Sequence, residues 1–167
     1  MSIEITEHLE TLTKRIEALK YLAEHRVDVG LPENASARNR MILAIQEHGS
    51  PIMRIPARPV VQPGLAREET RTEMTEALGA AMAAAHDGDL DGTQAGLERA
   101  GQAGADGIRA YIDEGIEPGN SPVTIHGGWI YNRVAKTGVP VKGKGFDKPL
   151  YETGELYRSF SYEIKSR

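Results

Sequence analysis

The stretch Arg26-Val27-Asp28-Val29-Gly30-Leu31 decides the fold class. Val27, Val29 and Leu31 alternate with charged and small residues, the period of a strand with one buried face, and Pro32 closes it. Its counterpart is far away in the chain: Phe160, Tyr162 and Ile164 alternate with Ser159, Ser161, Glu163 and Lys165. Between and before these strands the spacing is helical. Leu9, Leu12, Ile16, Leu19 and Leu22/Ala23 predict an amphipathic helix over 6–23, with Glu10 and Lys14 as a supporting i,i+4 pair. Ser36 caps a second helix carrying Met41, Ala44, Ile45 and His48, which Gly49 stops. Pro51, Pro56, Pro59 and Pro63 make Ser50–Pro63 extended. Met74, Leu78, Ala81/Met82 and Ala85 predict a third helix over 65–86. Leu97, Gly101, Gly104, Ile108 and Tyr111/Ile112 predict a fourth over 93–115. Glycines inside that last helix cost about 1 kcal/mol each against alanine, a cost offset where another backbone packs close, so the third and fourth helices are expected to touch.

This order predicts an α+β fold: a small mixed or antiparallel sheet, shared by the first and last strands, packed against three to four helices. An extended proline-rich strand and a basic hairpin arm complete it. The length of 167 residues fits a single domain over 1–167.

Charge is unevenly spread. Residues 1–121 hold 12 Lys+Arg against 20 Asp+Glu, whereas residues 122–149 hold five basic residues (Arg133, Lys136, Lys142, Lys144 and Lys148) and one acid, Asp147. Seven of the nine aromatic residues lie at or beyond Trp129. The region 126–148, broken by Gly127, Gly128, Gly138, Gly143 and Gly145, therefore reads as a basic, aromatic arm on an acidic body. Complementary charge of this kind suits head-to-tail contact between copies; a basic loop on an acidic domain is the plainer alternative. The overall balance of −4 is not that of a nucleic-acid coat protein. The absence of cysteine excludes disulfides, thiolate metal sites and cysteine nucleophiles. No apolar run reaches membrane-spanning length and no secretory leader is evident, so a soluble protein made in a cytoplasm is expected.

Chemistry-bearing patterns are few. Gly138-Val139-Pro140-Val141-Lys142-Gly143-Lys144-Gly145 approaches the phosphate-binding loop, but Gly145 stands where a Ser or Thr hydroxyl must meet Mg²⁺, and Phe146-Asp147-Lys148-Pro149 is a poor helix start. Asp87-x-Asp89-x-Asp91-Gly92-x₅-Glu98 matches a calcium-loop pattern literally. The favoured reading is an acidic turn between helices, with Asp91 or Thr93 capping the second. The five histidines, His8, His25, His48, His86 and His126, lack metal-ligand spacing. Ser50, Ser121, Ser159 and Ser161 have no local partner that would activate a nucleophile, and Glu68, Glu69, Glu73 and Glu76 read as a solvated helix face. No catalytic residue, metal site or cofactor is expected, and the chain is not read as an enzyme.

Three groups of residues resemble bacteriophage neck and tail-completion proteins, the minor tail components of tailed phages. The first is Gly49-Ser50-Pro51 followed by Ile55-Pro56-Ala57-Arg58-Pro59, with Val60 where the family usually has Phe. The second comprises Gly127-Gly128-Trp129-Ile130-Tyr131-Asn132-Arg133 and Val141-Lys142-Gly143-Lys144-Gly145. The third is Lys148-Pro149-Leu150-Tyr151-Glu152-Thr153-Gly154-Glu155-Leu156 with Ser159-Phe160-Ser161-Tyr162. These motifs, in the same order as in the family and with a matching helical middle, cover most of residues 5–165. The resemblance implies a structural virion protein assembled in the bacterial cytoplasm, a homo-oligomer forming a hexameric ring at the head–tail joint or upper tail. Head-closure or connector proteins and tail-terminator or tail-tube proteins would be its neighbours, and DNA would pass through the lumen without specific binding. Arg58, Trp129, Arg133, Lys142, Lys144 and Leu156 are the candidate interface or loop-fixing residues. Arg58 reads equally as a structural residue bonding local carbonyls, and Trp129 equally as an internal anchor. A tail terminator or other minor tail component, or a monomeric calcium- or nucleic-acid-binding module, are the alternatives.

Overall fold

The computed structural model describes residues 2–52, 54–132, 136–147, 149–150 and 154–167. The chain order is α1 (Ser2–Glu24), β1 (His25–Gly30), α2 (Ala37–His48), α3 (Val61–Ala66), α4 (Glu68–Asp87), α5 (Leu90–Glu114), α6 (Pro122–His126), β2 (Gly128–Asn132), β3 (Thr137–Val141), α7 (Glu155–Ser159) and β4 (Ser161–Ser166). The fold is α+β, with two separate antiparallel pairs, β1 with β4 and β2 with β3.

The first and last strands meet as their alternation requires. Val27 lies opposite Ile164 and Val29 opposite Tyr162, while Asp28 lies opposite Glu163 and Arg26 opposite Lys165. The apolar face seats on α5. A Cβ on Gly101 would come within 2.4 Å of the Tyr162 ring, and one on Gly104 within 3.1 Å of Val29. These glycines lower helix propensity but let the sheet approach the α5 backbone, so the sheet–helix packing offsets their cost.

The polar face carries an ionic cluster. The Lys165 ammonium lies 2.7 Å from Glu33, 3.0 Å from Glu163 and 3.6 Å from Asp28. The Glu33 N–H donates to Glu163 at 3.0 Å, and this bond first, then Lys165, holds the Glu163 carboxyl below its ordinary range. Hydrogen bonds to Glu33 and then Glu163 raise Lys165 well above the usual lysine value. The depressed Glu163 contributes stability above the ordinary carboxylate pKa, lost as pH falls through its folded value. The raised Lys165 contributes below the ordinary lysine pKa, lost as pH rises through its folded value. This cluster's contribution to the melting temperature is therefore expected to be level from about pH 5 to about pH 10 and to fall on both sides. Glu163→Gln should flatten the acid limb, and scanning calorimetry across pH checks this; an unchanged acid limb refutes the assignment. High salt should weaken the effect, because the cluster is at the surface.

α5 is the central element, burying Leu97, Ala100, Ala105, Ile108 and Ile112. α4 folds back on it through Ala77, Ala81 and Ala85, so the two helices touch as expected. Only Gly88 and Asp89 separate them. Gly88 takes the left-handed conformation (φ 79°) that ends α4, and Asp89 caps α5 by accepting from the Gly92 N–H at 2.9 Å. The calcium-loop pattern is thus not a loop. Asp87 belongs to α4, Asp91 and Glu98 lie on α5, and the Asp89 carboxylate is used as the cap in place of the expected Asp91 or Thr93. Thr93 is fully buried, its hydroxyl donating to the Asp89 carbonyl at 2.7 Å.

Three boundaries differ from expectation. The extended proline-rich segment ends at Val60 rather than Pro63, because Pro63 occupies the first turn of α3, where a missing N–H costs nothing. Glu47 of α2 supports that helix start, its carboxylate accepting from the Val60 and Val61 N–H groups at 2.8 and 2.9 Å. The expected single helix over 65–86 is two, divided at Arg67, whose extended backbone (φ −56°, ψ 141°) is held by ion pairs to Glu114 and Glu69. The sequence offers Thr153 as the cap of one turn over 154–158; Thr153 lies outside the described residues, and the turn is α7, one residue further on, preceded by Gly154 in a left-handed conformation (φ 69°). Ser36 caps α2 as predicted, accepting from the Asn39 N–H at 3.1 Å.

The hydrophobic core gathers Val60, Ile108, Ile112, Ile116, Leu150, Leu156 and Phe160. The C-terminal segment closes it, and Arg109 donates to the Phe160 carbonyl at 2.6 Å. α1 packs the other way round from its sequence pattern. Ala18 is fully buried and Arg15, Tyr21 and Leu22 are half-buried, while Leu9, Leu12, Ile16 and Leu19 face solvent.

Candidate functional site: a projecting arm and the groove at its root

The arm is anchored at its root through backbone. Ser121 caps α6 and Pro122 takes its first position, where proline is favoured. Gly127 (φ 80°) then turns the chain into β2, and a Cβ there would lie 2.8 Å from both the Gly143 nitrogen and the Val141 carbonyl oxygen. Gly143 is as tightly placed, its own Cβ position being 2.4 Å from the Gly127 nitrogen. Two glycines at one crossing let the outgoing and returning chains touch. The Lys144 and Gly145 N–H groups donate to the Thr124 and Ile125 carbonyls, both at 2.9 Å, and the Asp147 carboxylate accepts from the Asn120 N–H at 2.7 Å.

Beyond that root the hairpin leaves the body. β2 pairs with β3 in the register Trp129 with Pro140, Ile130 with Val139 and Tyr131 with Gly138. Neither strand joins the β1–β4 sheet. Trp129 is 72% exposed and Tyr131 63%. The Trp129 ring passes 3.1 Å from the Cβ position of Gly138, so it lies over the glycine of its neighbouring strand.

Arg58 ties the proline-rich segment to the arm's approach. It is 6% exposed; Nε donates to the Pro118 carbonyl at 2.6 Å and Nη2 to the Gly119 carbonyl at 2.7 Å, with Nη1 3.5 Å from Gln46 Oε1. Arg58 does bond carbonyls, but those of Pro118 and Gly119, 60 and 61 residues along the chain, rather than the local ones its sequence reading named. Alongside opens a groove of about 940 Å³ between α2, the 50–58 turn, the inner side of the hairpin and the closing segment. Ile42, Ile55, Ile130, Val139, Leu150 and Leu156 give it an apolar wall, and Arg38, Arg54 and Lys144 give it a cationic edge.

The sequence-derived candidates fall into two places. Arg58, Lys144 and Leu156 line this groove, with Leu156 buried in the core beneath it. Trp129 and the exposed Lys142 sit on the arm and its return. Arg133 lies outside the described residues, as do Lys148 and Tyr151. The sequence reading missed Ile52, 85% exposed at the tip of the 50–58 turn, and the contribution of α2 through Arg38 and Ile42. An isoleucine inside a proline-flanked turn was the available signal for the first; the second has no local signal.

Among the described residues no group of three His, Asp or Glu side chains is placed to hold a metal ion, and no helix is long and apolar enough to cross a membrane. The site is therefore of a particular class: a rigidly rooted apolar projection beside an apolar groove with a basic rim. Compared with family models, curated proteins and solved structures, the chain matches none.

Proposed function

We propose that this chain is a non-enzymatic structural protein of a tailed-phage virion, forming an oligomeric ring at the head–tail joint or upper tail and joining head to tail. The observation that carries the reading is the hairpin arm: Trp129 and Tyr131 lie open to solvent on a two-stranded unit whose root is fixed by backbone bonds. An isolated two-stranded hairpin is marginal in water, and exposed aromatic residues on rigid supports are the usual anchors of protein interfaces. Copies joined arm to body make a heterologous contact, the kind that closes into rings. The basic arm and acidic body give that contact its sign. The motif resemblance supplies the phage context and the hexameric ring order. In this reading connector and tail proteins lie above and below, and an acidic body lets DNA pass without being held.

Light scattering tests it. The full chain, alone or with neighbouring virion components, is expected to form a ring-sized species. A Trp129→Ser/Tyr131→Ser double variant should lose that species while keeping its melting temperature, since neither side chain packs on the core. A full chain that stays smaller than a ring in both settings, or a variant that assembles normally, refutes the proposal. Salt-sensitive binding of single-stranded DNA to the arm would favour a nucleic-acid module instead.

A further inference from the structure

The groove beside the arm carries cations that the body does not neutralise. Arg38, Arg54 and Lys144 stand on its edge, and among the described residues none of the three side chains makes an ion pair or hydrogen bond. The polar side chains around them are engaged within the body: Arg58 holds the Pro118 and Gly119 carbonyls, and Ser121 caps α6. An apolar wall under an unmatched cationic edge fits an occupant that is apolar on one side and acidic beside it.

The chain itself carries such a segment. All nine residues from 6 to 14 of α1 are exposed, and among the described residues no other helix has such a run. α1 meets the turn between α4 and α5 only at their end, where the Cβ position of Gly88 lies 3.2 Å from the Lys14 Cβ and 3.1 Å from the Arg15 nitrogen. A helical stretch this short is marginal in water without packing. Thr11 and Thr13 weaken it further, their hydroxyls donating back to the Glu7 and Leu9 carbonyls, both at 2.9 Å. Its charge is of one sign. Before Lys14 the helix has no Lys or Arg, whereas Glu4, Glu7 and Glu10 supply three acids. Leu9, 57% exposed, and Leu12, 39%, share one side of it, and helical spacing sets Glu10 beside them.

We propose that the groove receives the N-terminal half of α1 from a second copy of this chain, with Leu9 and Leu12 on its apolar wall and the glutamates toward Arg38, Arg54 and Lys144. Two α1 helices paired with each other would leave those cations unmatched; a helix seated in the groove answers both surfaces at once. Donor and acceptor differ, so the contact is heterologous: each copy gives its helix to one neighbour and its groove to another. It depends neither on the phage context nor on Trp129, which lies outside the groove wall.

The chain has no cysteine, so introduced ones report unambiguously. Ile52 lines the groove and is exposed. On mild oxidation, Leu9→Cys protein mixed with Ile52→Cys protein is expected to give chiefly the mixed disulfide, identified by peptide mass, and each protein alone much less. Glu7→Lys/Glu10→Lys on the Leu9→Cys chain should cut that yield by about tenfold, and so should Arg38→Glu/Arg54→Glu on the Ile52→Cys chain. Mixing the two reversed chains should restore it, which altered thiol reactivity or misfolding would not do. All four charged positions are exposed, so melting temperatures should hold. The same selectivity is expected in Trp129→Ser protein. Crosslinking without a ring-sized species would support this contact while counting against the ring. Leu9→Cys joining chiefly to itself, equal yields in all mixtures, reversed chains that fail to recover, or selectivity lost in Trp129→Ser protein would each overturn the proposal.

Discussion

Arg58→Leu is expected to lower stability by about 2–4 kcal/mol and to loosen the arm before the rest of the molecule. The guanidinium makes two short charged hydrogen bonds to the Pro118 and Gly119 carbonyls, each worth about 1.5–3 kcal/mol. Pro118 is exposed and recovers part of that from water, which keeps the sum below the upper limit. Leucine fills similar space but leaves Gly119 without its donor. Lysine should rescue poorly, because one ammonium cannot reproduce a planar fork across two carbonyls. The damage is directional. These bonds join the proline-rich segment to residues 118–119, which lead directly into α6 and the root of the hairpin. Urea melts give the global loss. Hydrogen exchange at the Lys144 and Gly145 amides, bonded to α6, should accelerate by roughly a hundredfold, the equivalent of about 2.7 kcal/mol. If these amides stay as protected as those of Leu97 and Ile108, Arg58 does not support the arm.

Gly96→Ala is expected to destabilise, although it places the best helix former in a helix. An added Cβ would lie 2.6 Å from the Ala81 Cβ and 2.8 Å from its Cα and nitrogen. Backbone cannot swing aside, so α4 and α5 must separate. Overpacking of this kind costs about 1–3 kcal/mol, and separation along a long helix pair puts it at the upper end. The propensity gain of about 1 kcal/mol recovers only part. A net loss near 2 kcal/mol should lower the melting temperature by about 4–8 °C for a chain of this length. Gly79 is the control. It lies in α4 with nothing within 4 Å of its Cβ position, so Gly79→Ala should raise the melting temperature through the same propensity term. Should both substitutions shift it in one direction, close approach is not what sets the identity of Gly96.

The candidate site was legible in part. Arm, root glycines and aromatics are local features, and residue type with spacing announced them between Gly127 and Gly145. The groove was not announced, because its wall joins α2, the 50–58 turn, the hairpin and the closing segment, which are distant in sequence. Leu156 shows the difference: its pattern marked an important apolar residue, but only packing placed it under the groove rather than on the surface. The Asp87–Glu98 pattern shows the reverse failure. Its residues fit a calcium loop in order and spacing, yet two strong helix signals, Gly88 as a left-handed stop and Asp89 as a cap, closed the loop to two residues.

By itself the chain's order of residues determined the α+β class, the pairing of its first and last strands, the caps of α2 and the contact of α4 with α5. Each follows from a period or a turn residue that acts within one element, or from two alternating patterns with no other partner. Tertiary structure alone decided the break at Arg67, the groove, and the direction in which α1 faces. A row of leucines every three or four residues fixes that a helix has an apolar side; it carries no information about which side the rest of the molecule occupies. Here the body took Ala18, where close backbone approach to Gly88 is possible, and left the leucines outward.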